Sequence, residues 1–395
     1  MKKVVLAFSG GLDTSFCVPY LKNERGMEVH TVLVNTGGFS AGEETHIRER
    51  ALSLGAATHT TVDAVEEYYN KGIRYLIFGN ILKNATYPLS VSSERVFQAL
   101  AVLRHAQTVG ATHVAHGSTG AGNDQVRFDL VFEVMAPGME IIAPIRELAL
   151  SRQEEIDYLA KNGCAPAWEK AKYSINQGLW GTSIGGAETL TSATSLPAAA
   201  YPSQPTATAP EKISITFRKG EPVELNGKPL PPVELIRQLN ATAARFAIGR
   251  DTHVGDTIIG IKGRVAFEAP APMIIIKSHH LLEKHTLTKG QLYWKDQLAG
   301  WYGQLMHEAQ YLDPLARNIE AFLEDTQKFV TGTVETELMP YHFAVLGCSS
   351  PYDLMNAKFG AYGETNKSFT GADVTGFTKV LANPLKIYYS VHEND

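Results

Sequence analysis

The stretch VVLAFSGGLDTSF, residues 4–16, decides how this chain is read. VVLAF is apolar enough for a strand buried on both faces, and SFCVPYLKN beyond the glycines can start a helix. Strand, tight turn, helix is the expected order. Such a turn aims backbone N–H groups and the positive end of a helix dipole at whatever lies in front of it, most often a phosphate. Gly10 and Gly11 let the backbone come close, and Ser9, Thr14 and Ser15 add hydroxyl donors. Asp13 is placed to orient the loop or to help hold Mg2+. A lone GG turn would more simply be a decorated connection with Asp13, Thr14 or Ser15 as N-cap. All seven residues of SGGLDTS together favour the phosphate.

The same rhythm continues downstream. VHTVLVNTG (29–37) reads as a second buried strand, THIRERALSLGA (45–56) as an amphipathic helix stopped at Gly55, and THTTVDA (58–64) as a strand. Helices through EEYYNKGIRYLIF and ERVFQALAVLRHAQTVGA lead to the strand THVAHG (112–117). Strands alternating with helices imply a parallel sheet covered on both faces, with ligands beyond the carboxyl ends of its strands. SGGLDTS, NTG and HGSTGAGNDQ all follow such ends.

Past about residue 162 the pattern changes. Residues 187–210, AETLTSATSLPAAAYPSQPTATAP, read as an exposed, extended arm or linker. ISITFRKGEPVELNG alternates like a hairpin about Lys219 and Gly220, and PPVELIRQLNATAARFA is helical, so this region is mixed α+β. The tail after Thr378 reads as a helix interrupted near Pro384, with Leu385, Ile387, Tyr388 and Tyr389 suited to docking on a sister subunit.

Length and composition set the bounds. A chain of 395 residues, 44% of them hydrophobic, fills more than one core. A net charge of −5 offers no broad cationic field, so neither nucleic acid nor an anionic membrane is an expected partner. Cys17, Cys164 and Cys348 are odd in number and far apart, which indicates no disulfide framework or zinc site and suits a reducing cytoplasm. No run of about 18 apolar residues is present to span a bilayer.

SGGLDTS lacks the lysine of GxxxxGK[ST] and matches the SGGxD[ST]S loop of enzymes that split ATP between its α and β phosphates. The second cluster, HGSTGAGNDQVRF (116–128), suits an amino acid: Asp124 for an ammonium, Thr119, Asn123 and Arg127 for carboxylates or a carbonyl. A polar loop with Asp124 and Arg127 merely paired is the plainer alternative. His113 and His116 fall on opposite faces of a strand and cannot share a metal, and His279-His280 has no further ligand at suitable spacing.

Together the two clusters make the chain resemble the argininosuccinate synthase family, with VNTGG (34–38), YSINQGLWGTSIGG (173–186), ITFRKGEPVELNG and TGADVTGF (370–377) extending the likeness over nearly its whole length. The resemblance implies an α/β fold. Residues 1–165 would form a parallel-sheet nucleotide-binding domain of the pyrophosphatase-loop type, 166–365 an α+β synthetase domain, and 366–395 a C-terminal oligomerisation helix, commonly within a homotetramer. It implies ATP-dependent joining of citrulline to aspartate, giving argininosuccinate, AMP and diphosphate. Matched by motif, Ala7, Phe8, Ser9, Gly10, Gly11, Leu12, Asp13, Thr14, Ser15, Val34 and Gly117 would line the ATP site. Thr119, Asn123 and Asp124 would hold aspartate. Tyr87, Ser92, Asn123, Arg127, Ser174 and Ser183 would hold citrulline.

The chain departs from the family pattern in places. Where the family has YxLGTSLARP this sequence has YPLSVSSERV (87–96), so an expected threonine is Val91. In VGDTIIGIKGRVAFEAP (254–270) the family's citrulline-contacting glutamate and tyrosine fall on Gly255 and Phe267, and Asp256 would replace the former only if the register slipped by one. Two readings stay open: ordinary citrulline in rearranged contacts, or an N-acylcitrulline whose α-nitrogen carries no charge. Other SGGxDS enzymes thiolate tRNA, which generally takes a cysteine pair and a basic surface, and a catalytically silent ATP-binding homologue is a third possibility.

Overall fold

Alternation along the first strand builds two cores at once. In β1 (Lys3–Ala7) Val4 and Leu6 join one apolar cluster with Phe16, Val18 and Ile145, while Val5 joins the other with Val32, Phe97 and Val114. The structure, a computed structural model, describes residues 1–164, 172–356, 360, 362–364 and 368–392. The expected boundaries at 165/166 and 365/366 border or fall on residues outside that set.

β1 pairs in parallel with β2 (Glu28–Asn35), which pairs with β3 (Thr58–Asp63), and on its other side with β4 (His113–Ala115), which pairs with β5 (Glu140–Ile142). The order is β3-β2-β1-β4-β5, so the chain reverses direction across the sheet between β1 and β4. Ligands of such sheets bind outside that switch point. Covering helices are α1 (Leu12–Asn23), α2 (Ala41–Ser53), α3 (Arg95–Val109), α4 (Asp124–Met135) and α5 (Arg152–Lys161). α2 starts earlier than its apolar periodicity suggests because Ser40 and Glu43 form a capping box, which satisfies orphan N–H groups at the helix start.

The second region has two antiparallel sheets. β6 (Ser174–Gly178), β7 (Gly181–Gly185), β11 (Arg250–Asp256) and β12 (Lys262–Glu268) lie in the order β11-β12-β7-β6. β8 (Glu211–Arg218), β9 (Glu221–Leu225), β10 (Lys228–Pro229), β13 (Gly332–Met339) and β14 (His342–Ser349) form the other. The hairpin about Lys219 and Gly220 is present, with φ 48° and 79°, as a left-handed two-residue turn needs. Helices α6 (Pro232–Ala244), α7 (Pro270–Thr286), α8 (Lys289–His307) and α9 (Pro314–Thr326) pack against these sheets and against the first region. The Val5 core runs without interruption through Trp180 to Phe217 and Leu338, so the two regions share apolar packing.

A buried polar tie crosses the same boundary. The Lys295 ammonium on α8, with no exposed side-chain surface, lies 3.0 Å from the Glu283 carboxylate on α7 and donates to the Phe78 carbonyl at 2.9 Å. Asn80 and Gln327 donate to the other lone pairs of Glu283.

Two expectations are corrected. Segment 187–210 is mostly exposed but is a strap rather than a free arm: Leu196 and Ala200 pack on Ile184 and Ala266, and the amides of Thr206 and Ala207 donate to the Arg245 carbonyl at 2.8 and 2.9 Å. Its few apolar residues find the back of the four-stranded sheet. The terminal helix α10 (Gly371–Val391) begins before Thr378 and runs through Pro384 unbroken. A capping box of Thr370 and Asp373 sets its start, and Pro384 removes one backbone donor without ending it, as Pro19 does within α1.

Candidate functional site

The turn after β1 is open at the helix end. Gly11 is the N-cap of α1 and no side chain caps it, so the first turn presents its dipole to an anion. Gly10 takes φ 77°, a left-handed conformation that favours glycine, and a Cβ there would meet Ile47 at 3.0 Å. Ser9 Oγ accepts from the Gly11 amide at 3.4 Å and lies 3.4 Å from Thr14 Oγ1, while Ser15 Oγ is buried without a partner. Ala7 closes β1, Phe8 and Leu12 are buried beneath the turn, and Val34 lies on neighbouring β2.

Asp13 faces Glu155 on α5, close enough for the two carboxyls to act on each other's ionisation. Burial, then the charge of Asp13, pushes Glu155 up to about 7, and burial raises Asp13 as well. Glu155 Oε2 is buried without a hydrogen-bond partner. Two adjacent carboxyls beside a phosphate loop suit Mg2+, which is commonly held by one or two carboxylates together with substrate phosphates.

Gly117, just past β4, brings the second loop onto the first. A Cβ at Gly117 would lie 3.0 Å from Thr14 Cγ2 and 3.1 Å from the Thr14 amide, so only a bare backbone fits. His116 donates from Nε2 to Asp129 at 2.8 Å and accepts the Ser118 amide at Nδ1, which fixes its tautomer and the path of the loop.

From there a cleft of about 210 Å³ leads between the two regions, lined by Tyr87, Ser92, Asn123, Asp124, Arg127 and Ser183 of the expected residues and by Arg95, Asn176, His253, Gly255 and His307 besides. Asp124 lies at the start of α4. It accepts from Arg95 Nε at 3.0 Å and Arg127 Nη1 at 2.8 Å. Burial opposes its ionisation, but the two guanidiniums outweigh burial and hold its carboxyl at about 2. Arg127 also donates from Nε to the His307 carbonyl at 2.9 Å. His307 is pushed down to about 2 by burial and by Arg127, so it is neutral. Asn123 Oδ1 accepts the Ile258 amide at 2.8 Å, tying the loop to the β11–β12 turn.

Arg95 continues to Glu94, which accepts from Arg95 at 2.9 Å and from Thr36 at 2.8 Å. Glu94 is buried; burial raises its carboxyl to about 7 against the pull of Arg95. The NTGG turn therefore reaches the cleft through Thr36. That turn is also clamped by the second region: Leu179 donates to the Thr36 carbonyl at 3.0 Å, and a Cβ on Gly38 would fall 1.9 Å from the Gln177 carbonyl.

Not every expected residue converges. Thr119 is exposed on its loop and Ser174 is exposed on β6, and neither lines the cleft, where Asn176 on the same face as Ser174 takes the place. No register slip occurs, since Gly255 pairs regularly with Gly263, but Asp256 lines the cleft beside it, solvent-exposed and paired with Lys262 at 2.6 Å. Arg95, His253 and His307 were missed. Only Arg95 had a signal, in YPLSVSSERV beside the expected Ser92.

The sequence matches known proteins over nearly its whole length. Residues 3–165 fit the family model described as the arginosuccinate synthase N-terminal HUP domain, and 173–388 the arginosuccinate synthase C-terminal domain. The chain belongs to the argininosuccinate synthase family. Relatives named argininosuccinate synthase include one from Methanocaldococcus jannaschii, 39% identical over 382 residues and covering 95% of each chain. Another, from Xanthomonas axonopodis pv. citri, is 38% identical over 99% of this chain and 95% of the relative, and one from Dictyoglomus thermophilum is 37% identical over 96% of each. The turn after β1 and Asp124 both lie within the N-terminal match. Membership of the family leaves no support for a tRNA thiolase, and Cys17, Cys164 and Cys348 are all free.

Proposed function

We infer that the chain is an AMP-forming carbon–nitrogen ligase joining citrulline to aspartate, with argininosuccinate and diphosphate as the other products. The observation that carries this reading is the contact of Gly117 with Thr14, which sets an uncapped helix end next to a cleft built round a carboxylate between two guanidiniums.

The chemistry explains why both halves are needed. A ureido carbon is a poor electrophile because both nitrogens donate into it, and its oxygen is a poor leaving group. When that oxygen attacks the α-phosphorus of ATP, diphosphate departs and the oxygen becomes part of an adenylate. The amine of aspartate then displaces AMP. No covalent enzyme nucleophile is required, so catalysis is positioning and charge neutralisation.

The residues divide that work. The end of α1, with Ser9, Thr14 and Ser15, faces the phosphates of ATP; Ala7 to Leu12, Val34 and Gly117 shape the surface beneath them. Mg2+ held at Asp13 and Glu155 would neutralise phosphate charge. Arg95 and Arg127 suit substrate carboxylates, and Asp124, kept anionic between them, suits the aspartate nitrogen once substrates share the guanidiniums. Tyr87, Ser92, Asn123 and Ser183 supply hydroxyls and an amide for the ureido amino acid. The exposed apolar residues of α10, among them Phe377, Leu381, Leu385 and Tyr389, support self-association as a homotetramer, and three unpaired cysteines suit the cytoplasm.

The test is product analysis with purified full-length chain. AMP and diphosphate should accumulate over repeated turnovers only when ATP, aspartate and a citrulline-type substrate are all present; sustained release without aspartate would favour a different enzyme, and no release at all a silent one.

A further inference from the structure

A carboxylate lies beneath the cleft, one residue before an arginine that lines it. Glu94 is the N-cap residue of α3 and only 1% exposed, whereas Arg95 opens the helix and faces the cleft. An acid at a helix start favours the helix dipole, but the Glu94 side chain caps no amide of α3. Its bonds run sideways instead. Oε1 accepts from Arg95 Nη1 at 2.9 Å and from Gln98 Nε2 at 3.3 Å, and Oε2 accepts from Thr36 Oγ1 at 2.8 Å. Two of these donors belong to α3 and the third to the turn after β2. The backbone closes over the same group: a Cβ on Gly178, at the end of β6, would fall 2.2 Å from Glu94 Oε2.

What this does to Arg95 follows by counting. A guanidinium has five N–H groups. Nε donates to Asp124 at 3.0 Å, and the two of Nη1 donate to Glu94 at 2.9 Å and to Gln98 Oε1 at 3.0 Å. The plane is held from both sides, and the pair on Nη2 has no partner among the described residues. An α-amino acid whose ammonium rests on Asp124 carries its α-carboxylate one carbon away, beside the guanidiniums that Asp124 bridges. Nη2 of Arg95 is the donor left for that carboxylate.

We propose that Glu94 is a positioning residue for the second half-reaction, its ionised carboxylate holding the Arg95 guanidinium in the orientation in which Nη2 meets a carboxylate of aspartate. This rests on the ligase reading above and deepens it. The surroundings of Glu94 decide when it is ionised. Burial raises its carboxyl to about 7; Arg95 pulls it down, and Asp124 beyond Arg95 pushes it up. Tyr68, which feels its charge, is itself held neutral by burial, well above the usual phenol range. Thr36, Gln98 and the Gly178 backbone carry no charge. Above about pH 7 the carboxylate makes a charge-assisted bond to Arg95, and below it the neutral acid makes a weaker one. Aspartate should therefore bind less well as the pH falls through that range.

The test is kcat/KM for aspartate at saturating ATP and ureido substrate, for the unsubstituted full-length chain and for Glu94→Gln, between about pH 6 and about pH 8. Glutamine keeps the shape and an acceptor but has no charge at any pH. The ratio of the two values, unsubstituted over variant, should climb from near one at about pH 6 to about tenfold at about pH 8. Taking the ratio cancels the titration of Glu155, of ATP and of every other group common to the two proteins. ATP–diphosphate exchange driven by the ureido substrate, which needs no aspartate, should differ by less than about twofold. A ratio that stays flat with pH overturns the proposal and leaves the ligase reading intact. So does a loss of exchange as large as the loss of kcat/KM, which would mark a general disturbance of the fold. No diphosphate from the unsubstituted chain at any pH overturns the ligase reading itself.

Discussion

Asp124 shows how a single residue can be half legible in sequence. HGSTGAGNDQVRF marked it as a ligand for an amino acid, but nothing in the spacing pairs it with Arg95, 29 positions earlier and on another helix. Only the fold brings that guanidinium in, and only the pair of guanidiniums keeps the carboxylate charged inside the cleft. The same is true of His253 and His307, single histidines on a strand and at a helix end, with no spacing to distinguish them from core residues. On the proposed role of Asp124 in the second half-reaction, Asp124→Asn should lower overall turnover by about 10²-fold or more while ATP–diphosphate exchange driven by the ureido substrate persists. Equal loss of both rates would assign Asp124 to adenylation instead.

At the scale of elements, local signals were strong where periodicity or turn chemistry was clear. β1, β2, the hairpin about Lys219 and Gly220 and the helix through ERVFQALAVLRHAQTVGA, observed as α3, follow from the chain itself. They failed where long-range packing overrides composition, as in the strap 187–210 with its anchors Leu196 and Ala200, and where a cap was overlooked, as at Thr370. The packing of α7 and α8 against the nucleotide-binding region was invisible too, since Lys295 reads as an ordinary surface lysine of an amphipathic helix. Fully buried beside Glu283, it instead leaves an uncompensated anion when removed. Lys295→Met should therefore cost about 3–5 kcal/mol, read as a lower denaturant midpoint with an unchanged m-value. A loss below about 1 kcal/mol, the range of exposed pairs, would mean that water reaches the pair.

For the whole molecule, the sequence conveyed the α/β nucleotide-binding half and the mixed second half but not the cleft between them. The cleft depends on two contacts that no periodicity encodes, Gly38 against the Gln177 carbonyl and Asn123 with the Ile258 amide. The exposed apolar side of α10 is a property of this scale as well. With the proposed self-association through α10, deleting residues 370–395 should give smaller species in sedimentation velocity while leaving the secondary structure of the remainder unchanged; an unaltered sedimentation coefficient per subunit mass would place the contacts elsewhere.

At the centre of the proposed reaction stands one event, the attack of a ureido oxygen on the α-phosphorus of ATP at the open end of α1. Labelling that oxygen with 18O in the ureido substrate and weighing the released AMP tests it directly. AMP heavier by one 18O per turnover is the predicted result; unlabelled AMP, or ADP with orthophosphate, would contradict it.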